Sequence, residues 1–307
     1  MCESPQSLQN ICLDVISEHI AEITNDEEET NSKFLFQNLN VYLHREVSEQ
    51  LLQVLSKKKY LNDKTLCLFD PRHTRLEKVK INNAAQITLK GLKTLRLHKI
   101  TDLEVTDLDN EITVNELIGC LGEWTLQNIK NLNVRNNSFT THSKFCVVVS
   151  LSKLRNLKTL NVSSTEFNGH GLEIVTEDLP CLENLDISET RVKDISPLQL
   201  CKHRLKSLNL YNLKLINGSE FVPLICSMEH LRHLDISNDK DHPFHMFKSS
   251  TCNEASLLKN YKALPNLISL DLSGKEKIDA EDLREQLASS VPYSREEDQT
   301  PNLIYKN

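Results

Sequence analysis

LKTLNVSSTEF from Leu157, LENLDISETRV from Leu182, LRHLDISNDKD from Leu231 and LISLDLSGKEK from Leu267 are four copies of one phrase, L-x-x-L-x-(L/I/V). Its last two apolar positions alternate with polar ones, the period-two signature of a short strand with one buried face. The same frame fits Leu92-Leu95-Leu97, Ile129-Leu132-Val134 and Leu205-Leu208-Leu210, and Leu76-Val79-Ile81 makes a first copy. Copies therefore start at 76, 92, 129, 157, 182, 205, 231 and 267, with central spacings of 25, 23 and 26 residues and irregular outer ones.

Phrases of this kind at a period of roughly 20–29 residues define a leucine-rich repeat array. Each copy buries its apolar edge against its neighbours, and the strands stack in parallel. The expected fold class is α/β: a curved leucine-rich-repeat solenoid with parallel strands on the concave face. Leu185, Ile187, Leu208 and Leu234 are expected in its core. Leu172, Val175 and Leu179, and likewise Phe221, Leu224 and Ile225, are expected as helical contacts on the convex side. Nine residues into each copy a polar side chain should bond the backbone of the turn; Asn137, Thr165 and Thr190 stand there, Asp239 could serve in a later copy, and Leu213 and Lys275 cannot. The competing description is a generic amphipathic α/β domain.

A net charge of −7 over 307 residues argues against general binding to nucleic acid or anionic membranes, both of which need a basic surface. The densest basic spot, Lys57-Lys58-Lys59, suits a helix C-terminus. Nine cysteines occur without a C-x-x-C, with Cys146 and Cys226 in apolar surroundings. That pattern fits reduced, buried thiols in a cytoplasmic or nuclear protein better than a disulfide framework. No secretory leader or membrane-length apolar run is read.

The chain divides into a helical region, 1–62, a repeat region, 63–289, with an insertion at about 238–263, and a polar tail, 290–307, expected to be disordered. In the first region a helix is expected over 5–22, with Ser4 as N-cap and Pro5 in the first turn, followed by an acidic loop over 24–33 and a second helix over 44–59.

SLQNICLDVI, Ser7 to Ile16, places Leu8, Ile11, Cys12, Val15, Ile16 and Ile20 on one helical face. Leu8, Cys12 and Ile16 follow the i, i+4, i+8 spacing of a BC box, the element that docks ubiquitin-ligase receptors on Elongin C. In that mode Leu8 fills a pocket, the small Cys12 allows close approach and Ile16 packs at the edge. LHREVSEQLLQVL places Leu43, Val47, Leu51 and Leu55 on one face and resembles a Cul2 box, the companion element that selects the cullin. Such boxes typically carry proline where this chain has His44. For either helix the alternative is a cap on the first repeat, which a solenoid requires.

Together with LFDPRHTRLEKVKI at Leu68, RLKSLNLYNLKL at Arg204, HLRHLDISNDKD at His230 and LPNLISLDLSG at Leu264, these elements resemble the Zyg-eleven/Zer-one family, nearer Zer-one. DPRHTRL and RHLDISNDKD carry most of the specificity. The resemblance implies a substrate-receptor subunit of a cullin-two RING E3 ubiquitin ligase with a VHL-box-like helical cap. Its implied partners are Elongin C with Elongin B, cullin-two and a protein substrate. Contacts to Elongin C would fall to Leu8, Cys12 and Ile16, and contacts to the cullin to Leu43, Val47 and Leu51. Family members continue into armadillo-like repeats that read N-terminal glycine; the expectation here is a chain that lacks them.

No catalytic residue, cofactor or metal is expected. G-x-x-x-x-G-K-(S/T), H-E-x-x-H and G-x-S-x-G are absent from the sequence. His230, His233, His242 and His245 have no zinc-like spacing with cysteine. Asp186, Asp235 and Asp271 recur at one repeat position. They form either a solvated polar row or part of a surface for a basic segment. The rival function is a cytosolic leucine-rich scaffold or inhibitor without any ligase link.

Overall fold

The computed structural model describes residues 7–25, 42–140, 148–215, 218–239, 264–271, 273 and 302–304. The chain forms two compact units, 1–143 and 144–307. In the first, helices α1 (Leu8–Asn25), α2 (Arg45–Lys57) and α3 (Asp63–Leu66) precede strands β1 (Lys78–Ile81), β2 (Asp102–Val105) and β3 (Asn131–Asn133). In the second, the strands are β4 (Thr159–Asn161), β5 (Asn184–Asp186), β6 (Ser207–Asn209), β7 (His233–Asp235), β8 (Ser269–Asp271) and β9 (Asn302–Ile304). Within each unit successive strands pair in parallel. The architecture is that of a leucine-rich-repeat solenoid.

Register follows the phrase. Its fourth residue is the inward one: Leu160 pairs with Leu185, Leu185 with Leu208, Leu208 with Leu234 and Leu234 with Leu270. All five are buried, as are Ile187 and the opening leucines of these copies. The opposite side of this core comes from helices Gly169–Asp178, burying Leu172 and Val175 with Leu179 just beyond, and Gly218–Cys226, burying Phe221, Leu224 and Ile225.

One expected copy does not exist. Leu92-Leu95-Leu97 lies in helical turns over Leu89–Leu92 and Lys93–Leu97; Leu92 and Leu95 are buried, but Leu97 is 77% exposed. The strand comes from Ile100-Leu103-Val105 instead, all buried. Starting the copy at Ile100 changes the uneven steps of 16 and 37 residues into 24 and 29.

Turn geometry confirms the corrected frame. The eighth residue of six copies, Asn83, Asp107, Asn136, Ser164, Glu189 and Asn212, takes a left-handed conformation with φ of 54–58°. None is glycine, so each turn carries a small steric cost. Side chains link these residues between neighbouring copies: Asn136 donates to Asp107, Ser164 to Glu189 (2.7 Å) and Asn212 to Glu189 (3.3 Å). The ninth position behaves as expected. Asn137 donates to the carbonyls of Val105 (2.7 Å) and Val134 (3.0 Å) and accepts from Leu108 N (2.8 Å). Thr165 and Thr190 donate to Val162 O and Ile187 O, each at 2.6 Å.

At 302–304 the tail is a strand paired to β8 rather than disordered chain. The insertion expected at 238–263 lies outside the described residues beyond Asp239, as do His242, His245 and Cys146.

Candidate protein-docking site

The helix α1 begins at Leu8, where Ser7 is the cap: its Oγ accepts from Asn10 N (3.2 Å) and its carbonyl from Ile11 N (3.2 Å). Ser4 and Pro5 lie outside the described residues, and the helix runs to Asn25 rather than 22. Leu13, at 4% exposure, and Ile20, at 3%, are buried together with Ser17. The opposite side is apolar and open to solvent: Leu8 is 77% exposed, and Ile11, Cys12, Val15 and Ile16 are exposed beside it. At about 100° per residue these five occupy an arc of about 140°, wider than the buried arc. Ile20, expected on the same face as Leu8, belongs to the buried side.

The second helix uses its apolar residues differently. Leu51, Leu52 and Leu55 are buried. Glu49 Oε1 accepts from the backbone N–H of Glu77 (2.8 Å) and Lys78 (2.7 Å), at the start of β1. Past the end of β1, Ser56 Oγ accepts from Asn82 N (2.7 Å) and donates to Asn82 O (3.1 Å). One face of α2 thus satisfies backbone groups flanking an edge strand, the groups that would otherwise template non-native pairing. Of the three residues expected to meet a cullin, Leu51 is 3% exposed and belongs to this cap, whereas Leu43 and Val47 are half-buried. His44 precedes α2 as N-cap without a side-chain capping bond.

The basic run closes α2: Lys57 is its last residue, and Lys59 takes a left-handed turn with φ of 61°. Lys58 faces α1, with Nζ 3.0 Å from Asp14 Oδ1 and 3.2 Å from Glu18 Oε1. The Asp14 hydrogen bond holds the Lys58 ammonium above its ordinary pKa.

His98, 4% exposed, sits behind this region. Its Nδ1 accepts from Leu76 N (3.2 Å), which places the proton on Nε2, 2.7 Å from Phe69 O. Burial lowers its pKa, against the opposing influence of the Phe69 carbonyl and Asp70.

The repeated carboxylates are committed locally. Asp186, Asp235 and Asp271 each accept, through Oδ1, from the backbone N–H two residues on, at 2.9–3.0 Å. Asn161 and Asn209 do the same in their copies. Burial, joined by the charges of Asp271 and Asp186, raises the Asp235 pKa against the Ser237 hydrogen bonds. These residues act as turn fasteners.

Cys12 and Cys67 are exposed rather than buried. Burial pushes the Cys201 thiol up to about 11. Among the described residues no group of three or more His, Cys, Asp or Glu could hold a metal ion, and no helix is long and apolar enough to cross a membrane.

Fold and repeat geometry define a leucine-rich-repeat protein. Residues 173–295 match the family model of Zer-1-like leucine-rich repeats. Over 93 residues, 30% of this chain, the sequence is 39% identical to the protein zer-1 homologs of Homo sapiens and Pongo abelii. That match spans 12% of those relatives' length. Among solved structures, a leucine-rich-repeat protein of Leptospira interrogans aligns with a TM-score of 0.39 and 20% identity over 74% of this chain and 56% of its own. A chain of the yeast Rad7 and Elc1 complex aligns with a TM-score of 0.30 and 16% identity over 98% of both.

Proposed function

We propose that this chain is a non-catalytic substrate-receptor subunit of a cullin-two–Elongin B/C RING E3 ubiquitin ligase, docking on Elongin C through Leu8, Cys12 and Ile16. The observation that carries this reading is the orientation of α1. A helix serving only as a cap would turn its widest apolar face inward, whereas α1 turns Leu8, Cys12 and Ile16 outward and is held by Leu13, Ser17 and Ile20. An exposed apolar stripe of this kind fits helix-in-groove recognition. The Zer-1-like repeats support the same role.

In this role the chain does no bond chemistry. It raises the local concentration of a bound protein beside a ubiquitin-conjugating enzyme and accelerates transfer by proximity. Any cullin contact through α2 falls to Leu43 and Val47, since Leu51 serves the core. The cytoplasm or nucleus suits this function and the exposed thiol of Cys12. The rival reading, a scaffold or inhibitor with no ligase link, draws on α2, whose buried face is a cap.

The test is co-purification of the full chain with the Elongin B/C pair. Leu8→Ala combined with Cys12→Asp should abolish it while leaving thermal unfolding unchanged within a few degrees. Retained binding, or collapse of the fold, would sink the docking reading.

A further inference from the structure

The docking reading leaves the roll of α1 about its own axis to be explained. Leu13, Ser17 and Ile20 span only about 60° of the helix circumference. The middle residue is small, and its hydroxyl is spent on Asp14 O at 2.7 Å. So narrow a contact can hold a helix in place without fixing its rotation. Polar contacts brace both shoulders of it. On one side Gln9 Nε2 donates to Gln50 Oε1 (2.6 Å). On the other, about 60° and about 100° round from Ser17, Asp14 and Glu18 converge on Lys58. Its ammonium meets both carboxylates and lies 3.4 Å from the Asp14 carbonyl. Lys58 is itself anchored, because its backbone N–H bonds Val54 O (2.9 Å) as α2 ends. Its side chain is 26% exposed against 38% for Asp14 and 61% for Glu18, so water screens the clamp, most of all at Glu18.

We infer that Lys58 is a positioning residue for docking: by holding Asp14 and Glu18 against the end of α2, it keeps the stripe of Leu8, Cys12 and Ile16 turned toward the partner. The inference rests on the reading of α1 as the docking helix. Lys58 need not touch the partner, and the residues that do would lose affinity when it is reversed. Charge reversal is the sharper probe, because it places three carboxylates together where one ammonium now satisfies two.

The full chain is titrated with the Elongin B/C pair, and hydrogen exchange of the α1 amides is followed separately without a partner. Lys58→Glu should weaken binding about tenfold and speed α1 exchange, and Lys58→Ala should weaken it about threefold. Combining Lys58→Glu with Asp14→Lys and Glu18→Lys should restore affinity to within about threefold of the wild type and slow exchange again. The unfolding midpoint should stay within a few degrees throughout. Wild-type affinity and exchange in Lys58→Glu overturn the inference and leave the docking reading intact. A loss of affinity that the charge swap does not rescue makes Lys58 a direct contact, which also overturns it. If the wild-type chain binds no Elongin B/C, the docking reading fails and the positioning role falls with it.

Discussion

In α1 the residues Leu8, Ile11, Cys12, Val15 and Ile16 face solvent, whereas in α2 Leu51, Leu52 and Leu55 lie in the core beside β1. Both helices carry apolar residues at i, i+4 spacing, and both resemble docking boxes. What separates them is the polar chemistry around the stripe. In α2, Glu49 and Ser56 reach backbone groups flanking β1, so its apolar face must lie against the repeats. In α1, Asp14 and Glu18 reach Lys58 from beside the narrower apolar set, and the wider set is left outside. An apolar stripe says that something covers it; the polar residues at its shoulders say which side that cover comes from.

The comparison breaks most readily in the core. Leu52→Ala should cost about 2–5 kcal/mol of unfolding free energy by denaturant titration, because Leu52 is wholly buried. Leu8→Ala should stay within about 0.5 kcal/mol. Equal losses in the two variants would mean that α1, too, is a core element. A smaller effect tests the polar shoulder of α2. Glu49→Ala removes the acceptor of two backbone N–H groups and should cost about 0.5–1.5 kcal/mol without changing Elongin B/C affinity. A loss of affinity at unchanged stability would show that α2 contributes to docking.

The smallest expected effect is a dependence on pH. His98, at the end of the first repeat, ties that end to Phe69 and Leu76, which follow α2. Its folded pKa lies below the ordinary 6.5, so its stabilising share is present above the unfolded pKa and is lost as pH falls below that value. As pH falls from about 7.5 to about 5.5, through the unfolded value, this group should lower stability. His98→Gln should remove that part of the slope. An unchanged slope would assign it to other groups.

Much of the repeat region is legible in the sequence because its phrase fixes both period and face. The failure at Leu92 shows the limit. Leu92-Leu95-Leu97 satisfies the phrase letter for letter, yet its buried pair is three residues apart, a helical spacing, and Leu97 points out. The true copy at Ile100 contains one leucine in three positions, and even spacing is the signal that identifies it. In the helices, sequence locates the apolar residues but not their cover. Leu8 and Leu51 read alike, because their difference depends on Glu77, Lys78 and Asn82, backbone partners far along the chain. Periodicity alone places Ile20 on the outward face; it lies about 40° beyond Ile16, where the buried side begins. The role of Lys58 is foreshadowed only by acidic residues at i and i+4 on α1 beside a basic helix end.

The left-handed residues also bear on how such a chain can change by gain or loss of whole repeats. Glu189 accepts from Ser164 on one side and Asn212 on the other, so its copy carries an acceptor shared by two donors. Excising residues 182–204 would preserve the strand phrase and the period and set Ser164 beside Asn212, which can still pair because a hydroxyl and an amide each donate and accept. A duplication would instead stack two glutamates there. At this turn the loss of a copy is therefore tolerated better than its duplication, because only the duplication sets like charges together.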